Sequence, residues 1–148
     1  MATYTQLLYH IVFSTKHRQR TLDAPGRPEL FRYVWGILKN KECHLYRING
    51  IEDHIHILTH VHPTIAVARL VKDIKVATNA WNKEQRVFPA FESWQDGYGA
   101  FTHSLAEKDR LIEYVKNQEE HHRTETFEDE LRRLVEAAGL KFDPKFLD

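Results

Sequence analysis

The sequence predicts an α+β fold of the ferredoxin-like (RRM-like) type: a four-stranded antiparallel sheet with helices on one face and one further helix near the other. Three observations predict it. The elements read strand, helix, strand, strand, helix, strand, then helices, which is the split βαβ order. Short β-branched and aromatic runs alternate with longer segments of helical period. The 148 residues are 42% hydrophobic and 28% charged, enough for one core, and no apolar run approaches bilayer length.

Each element has its own signal. QLLYHIVFST (6–15) is rich in β-branched and aromatic residues and reads as a strand buried on both faces. TKHRQR follows, and Pro-Gly-Arg-Pro breaks the chain before PELFRYVWGILKNK, where Leu30, Phe31, Val34, Ile37 and Leu38 fall at helical spacing. CHLYRINGI and HIHILTHV read as two strands joined near Gly50. In TIAVARLVKDIKVATNAWNKE, residues Ile65, Ala68, Val71 and Ile74 or Lys75 track one side of a second helix. The loop FESWQDGYGAF leads to a fourth strand near Tyr98 to Ser104. SLAEKDRLIEYVKNQEEHH opens on a capping-box pattern, Ser104 and Glu107, for a third helix. TFEDELRRLVEAAG repeats the signal with Thr126 and Asp129 and stops at Gly139.

Composition narrows the function. Net charge is zero, but residues 125–148 hold seven acids against four bases, so a mildly basic body (+3) precedes an acidic tail (−3). That distribution is compatible with nucleic-acid binding without demanding it. The single Cys43 allows no internal disulfide and the N-terminus lacks a basic start and a cleavage site, so a cytoplasmic location is expected, with no membrane partner.

GIEDHIHILTHVH places four histidines within nine residues of an otherwise strand-like segment. Alternate strand residues share a face. Ile55 and Ile57 then point into the helix-packed core, and His54 and His56 onto the other face, which this fold leaves open for a partner, a substrate or an additional helix. Asp53 is expected to face away from His54. Two adjacent imidazoles suit one divalent metal, although a chance pair is also open. His60 and His62 read as surface residues. There is no zinc framework such as C-x-x-C or H-E-x-x-H. In LIEYVKNQEEHH, Tyr114 and Gln118 are four apart and stack on the flank of a helical stripe formed by Leu111, Ile112 and Val115.

Taken together, HIH with YVKNQ downstream resembles the HUH single-tyrosine transposases of small bacterial insertion sequences. YHIVFSTKHR, GIEDHIHIL, LVKDIK, WQDGYGAFTHS and YVKNQEEHH are similar to successive motifs of that family, so the likeness covers nearly the whole chain. It implies a catalytic domain over residues 1–124 and an acidic helical tail, 125–148, within the same single domain. It implies cleavage of single-stranded DNA by Tyr114, a 5′ phosphotyrosine intermediate and strand transfer. His54, His56 and Gln118 would hold magnesium or manganese. DNA hairpins at the element's ends would be the substrate, bound by a homodimer whose catalytic helix works in trans. Lys16, Arg18, Arg20, Lys72 and Lys75 are candidate phosphate contacts. Trp94, Tyr98 and Phe101 are candidate base-stackers, with packing around Gly97 and Gly99 as their other reading.

Two other classes compete. A replication initiator or relaxase-like nickase would share the chemistry but is usually embedded in a longer chain. A non-catalytic RRM-like binding module would present exposed aromatics on its central strands, where this sequence presents histidines.

Overall fold

The computed structural model describes residues 2–147. Its elements are β1 (Leu8–Ser14), α1 (Arg27–Asn40), β2 (Leu45–Gly50), β3 (His54–His60), α2 (Val67–Gln85), β4 (Gly99–His103), α3 (Lys108–Lys116), α4 (Gln118–His121) and α5 (Phe127–Ala137). The strands form one antiparallel sheet in the order β2-β3-β1-β4, the ferredoxin-like topology. β1 and β3 are central, with Val12 opposite His56 and Ser14 opposite His54.

One face carries Ile11, Phe13, Ile55 and Ile57 against Leu30, Val34 and Leu38 of α1 and Leu70 and Ile74 of α2. The buried side of α2 is Leu70, Val71, Ile74, Thr78 and Asn82. Ile65 and Ala68 were expected on it, but Ile65 precedes the helix and Ala68 lies on its exposed flank. Asn82 is buried at no polar cost, because its amide exchanges two hydrogen bonds with the backbone of Phe88, at 2.8 and 3.1 Å.

The opposite face is covered by the chain's own C-terminal helices. Leu8 and Leu58 pack on Leu111 and Val115 of α3. Val12 packs on Phe127, Leu131 and Phe142. Of the occupants expected there, an additional helix is the one the chain supplies.

The expected third helix is interrupted. α3 ends at Lys116 and α4 starts at Gln118, with Asn117 between them at φ −94°, ψ 24°. The amide of Asn49 in β2 donates to the carbonyls of Val115 and Lys116 at 3.1 and 2.9 Å, occupying acceptors that a continuing helix would use. Ser104 does not cap with its side chain. A 3-10 turn, Leu105–Glu107, intervenes, and Glu107 bonds His103 Nδ1 at 2.7 Å. Thr126 does cap α5, accepting from the Asp129 N–H at 3.2 Å, and Gly139 follows at φ 79°.

Gly50 fixes the turn into β3. A Cβ there would lie 2.3 Å from the His54 carbonyl oxygen. Gly50→Ala is expected to push β2 from β3 and lower stability by about 2–4 kcal/mol. An unfolding midpoint in urea equal to the parent's would contradict this.

Candidate metal and nucleophile site

β3 carries His54 and His56 on the face away from Ile55 and Ile57, and both imidazoles are wholly buried. Each is anchored through Nδ1, so that its Nε2 is aimed inward. His54 Nδ1 bonds Asp53 Oδ1 at 2.7 Å. Asp53 was expected to face the opposite way. It lies just before β3, where the alternation has not begun, and its side chain folds back onto its neighbour. His56 Nδ1 bonds Nε2 of His10 at 2.8 Å. His10 sits two residues before Val12 on β1, hence on the same face.

α3 and α4 bring the other two candidates to this place. Gln118 is fully buried, its Oε1 3.2 Å from His54 Nε2. The half-buried ring of Tyr114 stands edge-on to His56, centroids 6.0 Å apart. The break at Asn117 tucks Gln118 under the sheet while Tyr114 stays at the rim. All four residues meet within one chain.

At the centre stands a residue the sequence reading counted only as tail charge. Glu130 of α5 is wholly buried. Its Oε1 lies 3.0 Å from His56 Nε2, 3.2 Å from His54 Nε2 and 2.9 Å from His122 Nε2. Its Oε2 accepts from the Gln118 amide at 3.0 Å and from the Tyr114 hydroxyl. Arg133, one turn on, donates to the Tyr114 oxygen at 2.8 Å. A signal for Glu130 was present: Phe127, Glu130, Leu131 and Leu134 form an i, i+3, i+4, i+7 stripe, with a carboxylate where a hydrophobe belongs.

The proton count shows what the cluster demands. His122 Nδ1 lies 2.6 Å from the carbonyl oxygen of Glu125. A carbonyl only accepts, so Nδ1 carries the proton and a neutral His122 turns a lone pair on Glu130. His54, with Nδ1 on the Asp53 carboxylate, does the same. Lone pairs facing a carboxylate need a cation between them, either added protons or a metal ion. Without a metal, the proton fills the gap. Burial pulls His54 down, but hydrogen bonds to Asp53 and Glu130 outweigh it and hold the imidazole up at about 9. Burial pushes the Glu130 carboxyl up, and His56, His122 and His54 overcome it, keeping it ionised well below the usual range. Burial and the Glu130 charge push the Tyr114 hydroxyl well above its ordinary value, with Arg133 opposing in part. With Glu130 seated, the phenol is held in its protonated form, hydrogen-bonded to the carboxylate.

His54, His56, His122 and Glu130 present four ligand atoms within 4.8 Å of one another. A second group, His121, Glu125 and Glu130, already contains a cation: Arg133 lies 3.0 Å from Glu125 and 3.1 Å from His121. It is an ion-pair cluster.

The basic candidates divide. Lys16, Arg18 and Arg20 lie in the loop after β1, which is tied to Asp53 by the Thr15 N–H at 2.9 Å; Arg20 pairs with Glu52 at 2.9 Å. Lys72 and Lys75 lie on α2, across the sheet from the histidines. The Lys75 ammonium is turned inward, donating to the carbonyls of Gln95 and Gly97 at 2.7 and 2.8 Å, so its expected phosphate contact is spent on the backbone. Of the aromatics, Trp94 is a core residue, edge-on to Phe13 with its indole N–H on Thr78 at 2.8 Å. Phe101 is buried against Gly99. Both are packing residues, unable to offer a face to a base as they stand.

A ferredoxin-like sheet with a tyrosine beside a histidine-rich, metal-type cluster defines the class of protein. The chain belongs to the IS200-like transposases: the family profile described as "Transposase IS200 like" matches residues 3–118. The match ends at Gln118, so His122, Glu130 and Arg133 lie beyond it. No curated protein matches the chain. Several solved structures share the fold, two of them as follows. One is described as a transposase from Deinococcus radiodurans R1; it is 22% identical with a TM-score of 0.59, over 80% of this chain and 95% of that one. The other is a REP-associated tyrosine transposase bound to a REP hairpin, 9% identical with a TM-score of 0.57, over 79% of this chain and 72% of that one.

Proposed function

We propose that the protein is a single-stranded DNA transposase that cuts by tyrosine attack. The observation that carries this reading is the convergence of Tyr114, Gln118, His54 and His56 at one place. The Tyr114 oxygen bonds to the scissile phosphorus as the P–O3′ bond breaks, leaving the 5′ phosphate on the tyrosine. The proton lost by the phenol balances the one gained by the departing 3′ oxygen. The phosphotyrosine conserves the energy of the broken bond, so rejoining to another 3′-OH needs no ATP.

His54 and His56 through Nε2, and Gln118 through Oε1, are the residues that would hold the catalytic metal. The donors fit, because each Nε2 is already oriented by a bond at Nδ1, as metal-binding histidines usually are. When bound, a divalent ion neutralises charge developing on the phosphate. Two nitrogen ligands favour manganese over magnesium, which prefers oxygen.

DNA hairpins are the substrate in this reading, as supported by the family and by the hairpin-bound neighbour. Lys16, Arg18 and Arg20 suit phosphates on the Asp53 side, and Lys72 a more distant stretch. Residues 1–124 are the catalytic unit and 125–148 a tail of the same domain. The histidine nitrogens are buried under Glu130, so a phosphate reaches them only after α5 withdraws. The setting is the cytoplasm, and no helix is long and apolar enough to cross a membrane among the described residues.

The test is incubation with labelled single-stranded hairpin DNA from the flanks of its own gene. A covalent adduct that survives denaturation, forms with Mn2+ and disappears in EDTA is expected. An adduct of equal yield in EDTA would remove the metal from the reading. The family resemblance carries a homodimer with the helix acting in trans, whereas the single chain closes its site in cis. Mixing His56→Ala with Tyr114→Phe chains decides: recovered adduct formation supports a helix acting in trans, and none, despite demonstrated subunit exchange, supports cis.

A further inference from the structure

We infer that His54, His56, His122 and Glu130 form an alternative, closed metal site for a zinc-class ion, built on the same two histidine nitrogens as the catalytic one, which fastens α5 over Tyr114 and holds the protein in a resting state. The inference rests on the reading of His54 and His56 as metal ligands and adds a different ligand set, ion class and consequence.

Three observations carry it. The first is the donor set. Three imidazole nitrogens and one carboxylate oxygen suit a borderline ion such as Zn2+, not Mg2+. The Glu130 Oε1 is 2.9 to 3.2 Å from all three nitrogens. A tetrahedral ion with bonds of about 2.0–2.1 Å sets its ligand atoms roughly 3.4 Å apart, so small side-chain shifts complete the geometry.

The second is the outer layer. Each histidine is fixed at Nδ1 by a separate group: Asp53 for His54, His10 for His56 and the Glu125 carbonyl for His122, at 2.7, 2.8 and 2.6 Å. A cluster assembled by chance has no reason to have all three rings oriented from behind.

The third is closure. His54, His56 and Glu130 are wholly buried, and His122 has a side-chain exposure of 4%. Structural metal sites are closed, whereas catalytic ones keep an open position for substrate. The closed site also keeps Tyr114 hydrogen-bonded to Glu130. Two of its ligands, His122 and Glu130, lie beyond the family match at residues 3–118.

The test uses the full chain and ZnCl2 without DNA. One equivalent of Zn2+ is expected to bind, raise Tm and slow hydrogen exchange in α5. Mg2+ should do none of these. His122→Ala and the nearly isosteric Glu130→Gln should each weaken zinc binding by about 100-fold or more. Circular dichroism establishes that both are folded, and Glu130→Gln provides the test if His122→Ala unfolds. In the Mn2+-dependent adduct assay, stoichiometric Zn2+ should inhibit the parent and leave His122→Ala uninhibited. Absence of one-to-one zinc binding, or binding equally tight in the folded variants, overturns the site. Zinc binding through these ligands with no loss of adduct formation overturns the resting-state role. Zinc binding in a protein that forms no adduct under any metal would count against the transposase reading and leave the zinc site standing.

Discussion

Tyr114→Phe is expected to fold, to bind hairpin DNA and to form no covalent protein–DNA adduct, a loss of roughly a thousandfold or more, as when other nucleophiles are deleted. The substitution removes one oxygen. Its ring still packs edge-on to His10 and His56. The Glu130 Oε2 keeps its bond from Gln118, and Arg133 keeps Glu125. The cost in stability is therefore about 1 kcal/mol, the size of one hydrogen bond with its partners still satisfied. A large chemical effect with a small structural one is the signature of a nucleophile. Adduct formation surviving in Tyr114→Phe would move the role elsewhere, with Tyr98 the next tyrosine to test.

His56→Ala carries the second large effect, and here stability is not spared. The imidazole is wholly buried between His10 and Glu130. Its removal leaves a cavity and takes one stabilising partner from a buried carboxylate. A loss of about 3–5 kcal/mol follows from breaking such a pair. Adduct formation in Mn2+ should fall to background. Measuring both quantities separates the causes. At a temperature where His56→Ala remains folded by circular dichroism, added Mn2+ should still fail to restore cleavage. Restored cleavage would make His56 a packing residue.

The sheet was legible because its signals are local and periodic. Ile55 and Ile57 alternate with His54 and His56, and a period of two assigns faces without any knowledge of the partner strand. Thr126 and Gly139 marked the ends of α5 for equally local reasons. What could not be read was set by contacts distant in the chain. Asn49 breaks the helix between Tyr114 and Gln118 from 66 residues away. Glu130 reaches His56 across a separation of 74 residues and His54 with it. Its charge made it a solvated tail residue by composition, although its place on the apolar stripe of α5 was visible. His10 was hidden differently, as one imidazole in a strand rich in β-branched and aromatic residues and read as buried on both faces. Asp53 misled because alternation was extended one residue past the strand.

These residues change the account of the site as well as its inventory. The sequence pattern left the histidine-bearing face open for a partner, a substrate or an additional helix. The folded chain closes that face with α5, sets the Glu130 carboxylate among the histidines and holds the Tyr114 hydroxyl in its protonated form. In the proposed reading, binding of the DNA strand and displacement of α5 are coupled: the strand must displace Glu130 from the histidines, so every interaction that seats α5 weakens apparent DNA affinity.

The central claim is that Tyr114 becomes covalently joined to DNA at a metal-assisted site. It is tested most directly by mass spectrometry of peptides from the protein incubated with single-stranded hairpin DNA and Mn2+. The account predicts a nucleotide linked through its 5′ phosphate to the peptide that contains Tyr114, and its absence when EDTA replaces Mn2+. A nucleotide on any other residue, or on Tyr114 in equal yield without metal, would contradict it.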